Sequence, residues 1–191
     1  MKHYAIKVRR WWAAPSALVV VMLVCWMAGT SEVPVPTLAG GMGSAQLAYF
    51  TPVLVIIAVV YCFERRLGDV EATAVVSVRW LDRGATVFVA VLAQGAGLVV
   101  GMDVARNAVL LLALALIVRR LTNEATAAGA ALGFLIVNIL LGRVYSPDGV
   151  ASYSWWAVAL YPSGSAAAWL FSVALFLCAL VWGFPRSPVT R

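Results

Sequence analysis

His3 is the single histidine of the chain, and Lys2 and Lys7 are its only lysines. A Ser/His/Asp triad, a Cys/His dyad or a multi-histidine metal or haem site would have to be assembled around one residue near the N-terminus. Neither lysine belongs to a GxxxxGK[ST] sequence, which needs a lysine at the opening of a helix to hold phosphates. The expectation is a chain with no catalytic residues, no resident cofactor, no metal and no ATPase motif of its own. Cys25, Cys62 and Cys178 lie in apolar runs without CxxC or other ligand spacing, so buried free thiols are expected. Gly95, Gly97 and Gly101 come nearest to a GxGxxG fingerprint, but their apolar setting reads as close packing between helices.

The elements that would carry these residues follow from composition. Of 191 residues, 63% are apolar and only 12% are charged, and the mean hydropathy is +0.94. A water-soluble domain is about 45 to 50% apolar and about 25% charged, so the chain reads as a polytopic membrane protein. Six apolar runs are close to the length needed to cross a hydrocarbon core as helices: 12–29, 46–63, 85–102, 104–118, 125–142 and 167–183. The fourth is short and is expected to borrow neighbours such as Asn107 or Leu121. None carries Asp, Glu, Lys or Arg near its centre, which disfavours proton- or ion-coupled transport. Gln94 and Asn138 are the notable polar residues within the runs. Either residue would line a substrate path or hold helices together by hydrogen bonds.

Charge then sets orientation. Fourteen Lys and Arg stand against eight Asp and Glu, but the basic residues cluster at the ends of apolar runs, an arrangement that points to a membrane and away from nucleic acid. With the N-terminus in the cytoplasm, Lys2, Lys7, Arg9, Arg10, Arg65, Arg66, Arg79, Arg83, Arg119, Arg120, Arg186 and Arg191 all fall inside. Only Arg106 and Arg143 fall outside, which favours six spans with both termini cytoplasmic. Residues 1–11 interleave Tyr4, Trp11 and basic side chains. They read as an interfacial segment or as a basic tail with aromatic anchors.

On the outer side, Pro34, Pro36 and the glycines at 40, 41 and 43 read as a loop. Residues 143–166 hold Tyr153, Trp155, Trp156 and Tyr161, whose amphipathic rings suit the headgroup zone. A short interfacial helix is expected there before the sixth span, acting either as an anchor or as part of an outer site. The cytoplasmic segment 64–84 is the most charged. Val70, Thr73, Ala74, Ser77, Val78 and Leu81 share one face at helical spacing, with Asp69 as a candidate N-cap and Glu71 in the first turn. Such a helix either rests on the inner leaflet or docks a cytosolic partner.

The sequence Glu64-Arg65-Arg66 closing the second run, followed by Gly68-x-x-Glu71 opening an amphipathic helix, resembles the coupling-helix region of type-2 ATP-binding-cassette exporter permeases. Six spans, an interfacial N-terminal segment and a longer outer segment before the last span extend the likeness. Asp69 stands where that family usually has threonine, and its usual proline is replaced within Val75–Val78. The resemblance implies an all-α integral membrane protein, a single transmembrane domain over 1–191, in a bacterial plasma membrane. It implies a permease subunit moving a lipid, peptide or hydrophobic antibiotic beside a second permease, identical or related, within membrane lipid. Separate cytosolic ATPase subunits would carry ATP and magnesium, and Glu64, Arg65, Gly68, Glu71, Val75, Arg79 and Trp80 would form the contact with them. The alternative from composition alone is a non-transporting scaffold or assembly subunit of a larger membrane complex.

Overall fold

The computed structural model describes residues 10–37, 41–64, 78–145 and 151–184. Among them are six α-helices: α1 (Ala13–Ala28), α2 (Pro52–Glu64), α3 (Val78–Val100), α4 (Met102–Leu121), α5 (Glu124–Leu141) and α6 (Ala166–Trp182). Each coincides with one of the six apolar runs, and local chemistry explains most of the boundaries. Pro15 lies in the first turn of α1 and Pro52 opens α2, where a missing N–H leaves no helical bond unmade. The Asn123 side chain caps α5 by accepting from the Thr126 amide at 2.8 Å, and Ser165 caps α6 through the Ala168 amide. Between α3 and α4 the chain reverses at Gly101, whose φ of +136° excludes other residues without strain.

Helix α4 is the axis of the molecule. Its residues from Val104 to Ala113, with Ala115 and Leu116, are buried, and it packs against α2, α3, α5 and α6. Helix α1 completes the bundle by packing on α2 and α3. The approach of α3 to α4 is close enough that a Cβ at Gly97 would collide with the Ala105 Cβ. Gly95, by contrast, faces open space, so the packing role expected of the glycine cluster rests on Gly97, with Gly101 making the turn.

Outward faces are apolar as well. Met27 on α1, Leu98 and Val99 on α3, and Leu170 and Val181 on α6 are all largely exposed. A water-soluble bundle would put charge there, whereas a bilayer is matched by hydrocarbon. Among the described residues three stretches are long and apolar enough to cross a membrane: Leu47–Glu64, Trp80–Val100 and Glu124–Leu141. Helices α1 and α6 are shorter, at 16 and 17 residues, or about 25 Å at a rise of 1.5 Å per residue. The 20 residues of α4 carry Asp103, Arg106, Arg119 and Arg120 near their ends.

The segments on the Gly101 side differ from expectation. Two strands, β1 (Glu32–Thr37) and β2 (Gly41–Gln46), pair antiparallel in a register that sets Glu32 opposite Gln46. In place of an interfacial helix within 143–166 there is a second antiparallel pair, β3 (Arg143–Tyr145) with β4 (Ala151–Tyr153), then a 3-10 turn at Val158–Leu160. Strand-favouring Val144, Tyr145 and Tyr153 flank a Pro147-Asp148-Gly149 turn sequence, while Pro162 and Gly164 stop any helix from growing. Residues 65–77, most of the expected coupling helix, lie outside the described residues. Its last part, 78–84, is the opening of α3, which begins seven residues earlier than the apolar run, with Asp82 buried and Arg83 bonded to the Phe184 carbonyl.

Candidate functional site: two polar ends around a central helix

Six helices of alternating direction bring the N-termini of α1, α3 and α5 and the C-termini of α2, α4 and α6 to one end. The contacts there are aromatic and basic. The Arg119 guanidinium at the end of α4 lies 3.8 Å from the centroid of the Phe63 ring and 5.7 Å from that of Phe184. Its Nε also donates to Glu124 at 3.4 Å. Arg83 of α3 reaches the same Phe184 ring at 5.6 Å, lies 5.3 Å from the Trp80 ring and donates through Nη2 to the Phe184 carbonyl. Trp11 packs edge-on against Phe63, and Arg10 donates to the Tyr61 hydroxyl at 3.1 Å. A guanidinium on an aromatic face gains cation–π attraction while its edge N–H groups stay available.

The opposite end is organised by Arg106 and Asn107 at the start of α4, both fully buried. Arg106 donates through Nη1 to the Pro162 carbonyl at 3.1 Å and through Nη2 to the Ala159 carbonyl at 3.1 Å and to Asn107 Oδ1 at 3.3 Å. Asn107 Nδ2 donates to the same Ala159 carbonyl at 2.9 Å. The pair thus pins the 3-10 turn and the Pro162 bend onto the central helix, and satisfies carbonyls that the short turn leaves open. Arg106 Nε is buried without a hydrogen-bond partner. Arg143 donates to the Ser44 carbonyl and ties the second strand pair to the first.

Sequence reasoning placed Arg106 in an outer loop as a topology marker, and it was the residue most under-read. The available signal was its position within α4, with Asp103 one turn before it and Asn107 beside it, at the mouth of an otherwise apolar run.

The expected site residues are scattered. Glu64 is exposed at the end of α2, and Trp80 is 70% exposed in the first turn of α3, where Arg79 also falls. Arg65, Gly68, Glu71 and Val75 lie outside the described residues. Gln94 makes a long contact of 3.5 Å from Nε2 to the Ala105 carbonyl, joining α3 to α4. Asn138 is fully buried and donates to the Phe134 carbonyl of its own helix at 2.9 Å, with Oδ1 left without a partner. These two residues are not brought together by any shared contact. Of the outer aromatics, Tyr153 and Tyr161 come together with ring centroids 6.2 Å apart. Trp156 packs beside the cluster of Ala157 and Leu160, and Trp155 stands out at 84% exposure.

The described cysteines are free: Cys62 is buried, Cys25 shares a 3.3 Å contact with the Thr51 hydroxyl, and Cys178 is exposed on α6 rather than buried. Among the described residues no group of three His, Cys, Asp or Glu comes together as metal ligands would. An apolar groove of about 480 Å³ opens between α1 and α3, lined by Val19, Met22, Leu23, Trp26 and Val99. Comparison with protein families, with curated proteins and with solved structures returns no match for this chain.

Proposed function

We propose that this chain is the membrane permease subunit of an ATP-driven exporter, working with separate cytosolic ATPase subunits and a second permease on an apolar or amphipathic cargo. The observation that carries the reading is the groove between α1 and α3. It is apolar, open on the outward face of the bundle, and flanked by Trp26 and Leu98, which nothing among the described residues covers. A second permease laid on this face would enclose a path suited to a lipid, a hydrophobic peptide or an antibiotic. The energy would come from ATPase subunits docked on segment 64–84, which joins the basic end of the bundle where Trp80 is exposed. Glu64, Arg65, Gly68, Glu71, Val75, Arg79 and Trp80 are the contact residues on this reading. On this reading the membrane is a bacterial plasma membrane and both termini are cytoplasmic, an orientation supported by the excess of basic residues assigned to that side in the sequence.

A second reading draws on a different observation. The interior around α4 is close-packed, with Arg106 bonded to the 3-10 turn rather than to a cavity, which suits a non-transporting assembly subunit. Mild solubilisation from native membranes, affinity purification and mass identification separate the two. A stoichiometric ATPase supports the permease reading, and a large enzyme or secretion complex without an ATPase supports the scaffold.

A further inference from the structure

Two arginines converge on one aromatic ring at the basic end. Arg83 and Arg119 lie 5.6 and 5.7 Å from the Phe184 centroid, so like charges from α3 and α4 are held near each other at the rim of the bundle. Like charges so placed repel unless something of opposite charge is near. The carboxylates at this end are Glu64, which is exposed, Asp82, which is buried and has its own partners, and Glu124, which bonds Arg119. Among the described residues no carboxylate is paired with Arg83. Its one hydrogen bond uses Nη2, toward the Phe184 carbonyl, and its plane is flanked by the Trp80 and Phe184 rings. The arrangement fixes the guanidinium: Nη2 is engaged and Nε is buried without a partner, so Nη1 is the donor left to reach a phosphate oxygen.

Trp80 supplies an independent pointer to the ligand. An indole 70% exposed at the end of an apolar helix matches the headgroup zone of a bilayer, where aromatic side chains with a polar edge concentrate. Arg10, Glu64, Val78 and Phe184, the described residues next to segments 1–9, 65–77 and 185–191, all belong to this end, and in sequence those segments carry Lys2, Lys7, Arg9, Arg65, Arg66, Arg186 and Arg191. We infer that Arg83, held between Trp80 and Phe184 with Arg119 beside it, binds the phosphate of an anionic phospholipid of the cytoplasmic leaflet. A diester phosphate in the headgroup plane satisfies the unused donor, separates the two guanidinium charges and lays its acyl chains along the exposed apolar faces of α3 and α6. The lipid acts as a structural ligand that fixes the depth of α3, and through it the start of the charged segment before it. The inference rests on the membrane reading of the chain and not on the ATPase partnership.

The test is native mass spectrometry of the full chain from nanodiscs of phosphatidylcholine with 20% phosphatidylglycerol (about one lipid in five), with stepwise removal of lipid. Carbonate extraction of the expressing membranes checks the membrane reading separately. The expected result is one phosphatidylglycerol retained after the phosphatidylcholine has left. Arg83→Gln should lower that retention about five-fold, the loss of one basic residue at a charged surface, while Arg83→Lys keeps part of it. Arg120→Gln removes an equal charge from an exposed position on α4 and should change retention far less. Inorganic phosphate at millimolar concentration should not displace the lipid. Equal losses in Arg83→Gln and Arg120→Gln would show diffuse surface attraction and overturn the site. Displacement by free phosphate, or equal retention of both lipids by the wild-type chain, would overturn it without reliance on any variant.

Discussion

Arg106 and Ala159 are 53 positions apart in sequence, yet the guanidinium of one donates to the carbonyl of the other at 3.1 Å inside the bundle. This bond joins the central helix to the segment between α5 and α6. A buried arginine that loses its partners, or carbonyls that lose their donor, costs about 3 kcal/mol or more. Arg106→Leu is therefore expected to lower the Tm by several degrees in detergent. Arg106→Lys should fall between it and the wild type, since one ammonium cannot span the Ala159 and Pro162 carbonyls. Thermal unfolding followed by tryptophan fluorescence measures both.

The two glycines of α3 should respond in opposite ways. A Cβ at Gly97 collides with Ala105, so Gly97→Ala forces α3 from α4 and should cost about 1 to 3 kcal/mol. Gly95 has open space around it, and Gly95→Ala should leave stability unchanged or raise it by up to about 1 kcal/mol. Chemical or thermal denaturation of the pair, beside wild type, gives the comparison.

The native thiols differ in burial, which orders their reactivity. Timed alkylation in mild detergent should modify exposed Cys178 first and buried Cys62 last, with Cys25 between them. Cys62 Sγ donates to the Arg10 carbonyl at the basic end of the bundle, while Cys25 contacts Thr51 at the other end of α2. Non-reducing peptide mass analysis should accordingly contain no intrachain Cys25/Cys62 bridge, because a disulfide needs Cα atoms within about 7 Å.

Orientation in the bilayer is tested in intact cells. Cysteine introduced at Thr37 or Gly149 should react with an impermeant thiol reagent, whereas cysteine at Arg66 or Arg119 should react only after lysis. Labelling at Arg66 from outside would reverse the topology.

The helices were legible because each apolar run approaches the length of a span, whereas their ends are set by single residues such as Pro52 and Gly101, which lie inside the runs 46–63 and 85–102, and Asn123. Periodicity and length carry that much without tertiary information. Arg106 was not legible as a buried group, since a rule that reads arginines near helix ends as loop charges cannot see two carbonyls arriving from 53 and 56 positions away. The same limit hid the β3/β4 pair: three-residue strands are defined by their cross-strand partners, Arg143 with Tyr153 and Tyr145 with Ala151, more than by any internal pattern. Gln94 and Asn138 are polar residues inside helices, expected either to line a substrate path or to hold helices together. Their bonds go to carbonyls of α4 and of α5 itself, which a one-dimensional reading leaves open.

The coupling to ATPase subunits in the permease proposal turns on segment 64–84 and its exposed Trp80. The most direct measurement is ATP hydrolysis and pull-down by the co-purified ATPase with the full chain in lipid nanodiscs, wild type beside Trp80→Ala, Val75→Asp and a Ser187→Ala control. Large aromatic side chains at interfaces commonly contribute about 2 kcal/mol or more, so Trp80→Ala should weaken ATPase binding roughly 30-fold or abolish substrate stimulation of turnover. The variants should still insert and retain the second permease, and Ser187→Ala should match wild type. Full ATPase binding and full stimulation in both loop variants would contradict the coupling role and leave the scaffold reading in its place.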